Sequence, residues 1–194
     1  VFTNNTTDVS QGRDTLDGLK IKTLWGEIAY QLGGEDAYEM IRQNDEDRIA
    51  PSASLIKPIL EACKPSLILI DELADYCVKA SGISVGGGTL FNQTNSFIQT
   101  LTEVVASVPK TVLIVTLPAS ATEVAASAIG QEVLSSLETR VVRVGTSVKP
   151  VDDEEIFEVV RRRLFERIID PEMIDAVAKQ YQSMYHNRRS DLPA

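Results

Sequence analysis

The chain has 194 residues, 43% hydrophobic and 24% charged, and its 28 Asp and Glu outnumber 19 Lys and Arg for a net charge of −9 at pH 7. That balance supplies a sizeable core and excludes disordered, collagen-like and fibrous classes. It also repels phosphate backbones, so any nucleic-acid contact would need a local basic patch.

Val1-Phe2 runs at once into a polar stretch, Thr3 to Gly18, with no initiator methionine and no basic, signal-like start. We therefore expect a fragment of a longer protein that begins at the end of a strand. Leu24, Trp25, Ile28, Ala29 and Leu32 recur at helical spacing and stop at Gly33-Gly34, and a second helical pattern follows through Ala37, Tyr38 and Ile41. The acidic and polar run from Asn44 to Ser54 separates these from a helix through Leu55, Ile56, Ile59, Leu60 and Cys63, in which Pro58 suits only a first turn.

Leu67-Ile68-Leu69-Ile70 is an unbroken apolar run between Pro65 and the pair Asp71-Glu72, the pattern of a central strand covered on both faces. A helix from about Leu73 to Ala80, a flexible loop from Gly82 to Thr89 and a helix through Phe97, Leu101, Val104, Val105 and Val108 lead to a second strand, Val112-Leu113-Ile114-Val115. A helical stretch from Ala121 to Leu137 and a short strand, Val141-Val142-Arg143-Val144, repeat the alternation. This order predicts an α/β fold with a largely parallel sheet. From Pro150 the pattern is helical only, with one helix carrying Ile156, Phe157, Val160, Leu164 and Phe165 behind a cap at Asp152, and another carrying Met173, Ile174, Val177 and Tyr181. We divide the chain into an α/β core, 1–149, and a helical segment, 150–194.

The strongest chemical signal is Asp71-Glu72, two carboxylates at the C-terminal edge of a parallel sheet, where open α/β proteins bind ligands. In phosphoryl-transfer enzymes such a pair divides its labour: the first carboxylate holds magnesium, usually through water, and the second orients or deprotonates the attacking water. The plainer alternative is that the pair merely starts a helix, whose dipole favours negative charge. Thr116 and Ser120 end the next strand, where a hydroxyl could sense a γ-phosphate or simply cap a helix. Arg140 and Arg143 flank the short strand, placed for a finger reaching a neighbouring subunit's nucleotide or for a surface ion pair. A phosphate cradle, Gly-x-x-x-x-Gly-Lys-Ser/Thr, is absent: the stretch from Gly82 to Thr89 has Gly88 where lysine is required and follows the carboxylate strand instead of preceding it. We expect the cradle to lie upstream of Val1.

Other constellations are weaker. Cys63 and Cys77 sit in apolar stretches without ligand spacing and read as reduced thiols in a cytoplasmic setting. No apolar run approaches the roughly 18 residues a membrane span needs. The glycosylation-like patterns Asn4-Asn5-Thr6-Thr7 and Asn92-Gln93-Thr94 read as chance loop residues. Arg161-Arg162-Arg163 and Arg167 share their helix with Glu154, Glu155, Glu158 and Glu166 and read as an ion-paired, solvated face. His186 is the sole histidine and has no nucleophile near it in the pattern, which leaves Ser-His-Asp and Cys-His catalysis without support.

Four blocks carry a family resemblance: Thr23-Leu24-Trp25-Gly26-Glu27-Ile28-Ala29-Tyr30-Gln31-Leu32-Gly33-Gly34, Leu69-Ile70-Asp71-Glu72-Leu73, Leu117-Pro118-Ala119-Ser120 and Arg161-Arg162-Arg163-Leu164-Phe165. The chain resembles large prokaryotic AAA+-like ATPases catalogued as a domain of unknown function, number four hundred and ninety-nine in that series. The resemblance implies a three-layer P-loop NTPase fold, incomplete at the N-terminus, with a helical extension that begins the nucleotide lid. It implies ATP and Mg2+ as ligands of the complete protein, Asp71 on the metal, Glu72 as catalytic glutamate, Thr116 or Ser120 as the γ-phosphate sensor, and Arg140 near a finger that acts across a homo-oligomer. Such proteins lie near DNA methylases and restriction-like systems, which implies a DNA-linked or defence role, although this acidic chain gives no support for direct DNA binding. The missing cradle predicts negligible hydrolysis by residues 1–194 alone.

Two other readings compete. A phosphorylatable receiver would use Asp71, Thr116 and Lys149, but no acidic pair follows an apolar strand before residue 66, and the interval from Asp71 to Lys149 is too long. An ATPase-like scaffold that binds protein partners without catalysis is favoured if no cradle exists upstream.

Overall fold

The computed structural model describes residues 1–3, 8–118, 128–142, 145–146, 148, 155–164 and 171–187. The chain divides into two compact units, Val1–Ser147 and Val148–Ala194.

The first unit is an α/β domain around a three-stranded parallel sheet of β1 (Phe2–Thr3), β4 (Ser66–Asp71) and β7 (Thr111–Val115), in the order β1-β4-β7. Between β1 and β4 come the small antiparallel pair β2 (Arg13–Asp14) and β3 (Lys20–Ile21), then α1 (Leu24–Glu39), α2 (Arg42–Glu46) and α3 (Ala53–Ala62). Between β4 and β7 come α4 (Leu73–Ser81), a hairpin of β5 (Ser84–Val85) and β6 (Gly88–Thr89), and α5 (Leu90–Ser107). After β7 the next described element is α6 (Ala128–Val142).

The strand order moves steadily in one direction, and right-handed crossovers then put both connections on the same face of the sheet. Ile68 and Ile70 point into a core shared with Leu24, Trp25 and Ile28 of α1, Ile59 and Leu60 of α3, Leu73 of α4, Phe97 and Leu101 of α5, and Val133 and Leu137 of α6. The opposite face is open: Leu67 is 61% exposed, Val112 52% and Ile114 47%. The expectation of a strand covered on both faces is thus corrected among the described residues, because four consecutive apolar residues show that both faces are apolar and not that both are packed.

The block 23–34 has a packing reason for nearly every residue. Thr23 caps α1 by accepting the Gly26 amide at 3.1 Å, and Trp25 is fully buried against Phe97. Glu27, 2% exposed, forms a two-pronged ion pair with Arg13 of β2, both contacts at 3.0 Å. Gly26 lies against the buried Asp45, and a Cβ there would stand 2.1 Å from the carboxylate Oδ1. The expected stop at Gly33-Gly34 is a break inside α1, where both residues leave helical geometry before the helix resumes.

Four other expectations change. Asp45, placed by its sequence neighbours in a polar connecting run, lies within α2 and is fully buried. Its carboxylate accepts Thr23 Oγ1 at 2.5 Å, Tyr38 Oη at 2.9 Å and the Lys22 amide at 3.0 Å. Pro58 lies inside α3 because the helix starts at Ala53, and it sits on the exposed side of the helix, away from the buried Ile56, Ile59 and Leu60. The loop from Gly82 to Thr89 is a hairpin turned at Gly86 and Gly87, both at positive φ as a two-residue turn of this kind requires. Val141 and Val142 end α6 and form no strand, because Val133, Leu137 and Val141 recur every four residues against the core. Residues 119–127, 143–144 and 149–154, with Ser120, Arg143 and Asp152, lie outside the described residues.

The second unit contains α7 (Ile156–Leu164) and α8 (Pro171–Asn187). On α7 the Glu158 carboxylate pairs with Arg161 at 2.5 Å and Arg162 at 2.8 Å, and these guanidinium hydrogen bonds hold its pKa down to about 2. Met173, Ile174, Val177 and Tyr181 are exposed along α8.

Candidate active site

The three parallel strands end side by side. Thr3 is in register with Asp71 across β1 and β4, and Ile70 with Val115 across β4 and β7. The Thr116 amide continues the ladder by donating to the Ile70 carbonyl at 3.0 Å, which brings Thr116 beside Asp71. Side chains alternate along a strand, so Asp71 shares a face with Leu67 and Leu69, and Thr116 with Val112 and Ile114. Thr3, Asp71 and Thr116 therefore form a polar row that ends the open, apolar face of the sheet.

Asp71 is anchored by one oxygen. Its Oδ1 accepts the Thr116 hydroxyl at 2.5 Å and the Glu72 amide at 3.1 Å, and that amide also lies 3.2 Å from Thr116 Oγ1. Oδ2 makes no hydrogen bond among the described residues, so the protein orients the carboxylate through Oδ1 alone. Glu72 adopts the left-handed conformation, φ 57° and ψ 33°, which costs a non-glycine residue about 1–2 kcal/mol. It stands at the N-cap of α4, yet its side chain makes no capping hydrogen bond and is exposed. The carboxylate pair therefore does not serve the helix start in the usual way, since neither side chain satisfies its free amides.

The structure brings Asp71, Glu72 and Thr116 together. Arg140 is elsewhere in its bonding: it sits in the last turn of α6 and donates to Gln99 Oε1 of α5, beside a polar groove that Glu103 and Glu132 also line. No hydrogen bond or ion pair among the described residues joins it to Asp71, Glu72 or Thr116. Ser120 falls outside the described residues. Thr3 was not singled out from the sequence, where two residues of β1 carry no periodicity, and only the register reveals its position.

A carboxylate beside hydroxyls is a hard-oxygen environment, and one carboxylate with few neighbouring ligands suits a hydrated cation better than a directly ligated one. No group of three or more His, Cys, Asp or Glu side chains capable of holding a metal occurs among the described residues. None of the described helices is long and apolar enough to cross a membrane. Neither a curated protein nor a solved structure matches the chain. The DUF499 N-terminal domain matches residues 9–149, nearly the whole first unit, and the chain belongs to that family.

Proposed function

We propose that residues 1–194 carry the carboxylate half of a Mg2+-dependent ATP-hydrolysing site of the P-loop, AAA+-like type. The observation that supports it most is the closed set of bonds among Asp71 Oδ1, Thr116 Oγ1 and the Glu72 amide. It orients one carboxylate at the sheet edge while a second, Glu72, is held exposed in a backbone conformation that costs energy and serves no cap. Strain of that kind is retained where function requires it.

In this reading Asp71 would hold the Mg2+, and the metal would supply charge neutralisation at the phosphates. Glu72 takes a proton from the attacking water as its oxygen bonds to the γ-phosphorus, and the bond to the departing ADP oxygen breaks with its electron pair. Thr116 fixes Asp71 and faces the same space. The open sheet face favours the same reading, because a phosphate-loop strand and helix supplied from outside residues 1–194 would cover Leu67, Val112 and Ile114. Arg140 acting across subunits, and a DNA-linked role, belong to this proposal through family resemblance alone.

The test is Glu72→Gln in a longer chain that includes about 150 residues upstream of Val1, roughly one domain. Turnover should fall by about 10²-fold or more while MgATP affinity stays within about twofold, since the amide keeps the shape and loses the base. Wild-type turnover in that variant refutes the assignment. The exposed apolar face also suits a scaffold that binds proteins; a longer chain that neither binds nor hydrolyses MgATP would select it.

A further inference from the structure

We infer that Thr3 is a third member of the Asp71 site, its hydroxyl steadying the water shell of a divalent cation on the flank opposite Thr116. The inference rests on the proposed cation role of Asp71 and adds to it a residue that no motif marks. Parallel register pairs Thr3 with Asp71, and paired residues of parallel strands project to the same face. The neighbour before it, Phe2, pairs with Ile70 and is 2% exposed in the core, which fixes the parity of β1 and sends Thr3 to the open face. Thr116 already occupies the β7 side of Asp71 and saturates Oδ1 together with the Glu72 amide. A cation held at Oδ2 then meets protein hydroxyls on the β1 side only at Thr3 among the three strand ends. A hydroxyl there accepts from one coordinated water and limits the rotation of the shell, a positioning role carried through water.

Two substitutions separate this role from a structural one, because they predict opposite orders. Thr3→Val keeps the β-branched shape and strand preference but removes the hydroxyl; Thr3→Ser keeps the hydroxyl and sacrifices strand preference. The probe is Mn2+ titrated, in the presence of ADP, into the longer chain that includes about 150 residues upstream of Val1, followed by paramagnetic broadening of backbone amide signals. Wild type should show selective broadening at Ile70, Asp71, Glu72 and Thr116, and Asp71→Asn should abolish it. Thr3→Val should weaken the apparent affinity by about threefold or more, with Thr3→Ser within about twofold of wild type. Undisturbed Phe2 and Ile68 signals establish that β1 still pairs. Equal affinity in Thr3→Val, or weaker binding in Thr3→Ser than in Thr3→Val, overturns the role of Thr3 and leaves that of Asp71 standing. Wild type without selective broadening at Asp71 overturns both.

Discussion

Gly26→Ala should destabilise the fold although helix propensity favours it. Alanine inside a helix gains about 1 kcal/mol over glycine when nothing else changes. Here the new methyl would stand 2.1 Å from Asp45 Oδ1 and 2.9 Å from Ile21 Cγ2, so the buried carboxylate has to move. Asp45 accepts hydrogen bonds from Thr23, Tyr38 and the Lys22 amide. Disrupting two bonds to a buried charge costs about 3–6 kcal/mol, at about 1.5–3 kcal/mol each. Subtracting the helix gain leaves a net loss of about 2–5 kcal/mol, a large part of the 5–15 kcal/mol available to a typical domain. Urea unfolding followed by fluorescence reads this directly, because Trp25 is the only tryptophan and is fully buried. In an Asp45→Ala background the nearest obstruction is gone, and Gly26→Ala should then fall within about 1 kcal/mol of neutral, a coupling of at least about 1 kcal/mol. A Gly26→Ala protein as stable as wild type, or additive effects in the double variant, would refute the reasoning.

Asp45 also predicts a pH dependence. Burial raises its pKa above the 3.8 of an exposed aspartate, against the lowering effect of its hydrogen bonds. The folded state then binds the proton before the unfolded state does, so this group adds stability as pH falls from the raised value toward 3.8. Glu61, held low by its Lys64 hydrogen bond, and Asp8, held low by Ser10, act in the opposite sense and lose stability on acidification. The measurement is therefore a difference: wild type should gain on Asp45→Asn as the buffer is acidified, and a constant difference would contradict the burial argument. The parity of the sheet gives a further contrast. Leu67→Thr and Ile114→Thr on the open face should each change stability by about 0.5 kcal/mol or less, whereas Ile70→Ala should cost about 2–5 kcal/mol; similar losses at all three would mean that both faces are packed.

Much of the fold was legible because local signals agreed with tertiary packing. The run 67–70 could be read as a strand from its bounding Pro65 and Asp71, and Gly33-Gly34 marked a real interruption. Where reading failed, a longer-range contact decided. Val141 and Val142 are β-branched, yet the four-residue spacing of Val133, Leu137 and Val141 against the core keeps this stretch helical. Asp45 sits among polar neighbours, and nothing local to it reveals that Gly26, nineteen positions earlier, leaves room for its carboxylate. In the candidate site Asp71, Glu72 and Thr116 were visible as residues placed at strand ends. The bond that joins them was not, because it depends on how β4 and β7 align.

That alignment has a consequence for how the sheet assembles. Between Ser66 and Asp71 the four residues of β4 are all apolar and face four apolar residues of β7, so hydrophobicity alone is nearly indifferent to sliding. The ends are not. Ser66 Oγ lies 3.4 Å from Thr111 Oγ1 at one end, and Thr116 grips Asp71 at the other. A shift of one residue would turn Asp71 toward the helices and bury an unpaired charge, at a cost of several kcal/mol. A shift of two would preserve the faces but leave both clasps without partners. The pairing thus indexes itself from its polar ends, and the hydroxyl that orients the carboxylate also stops the two strands from sliding past one another during folding.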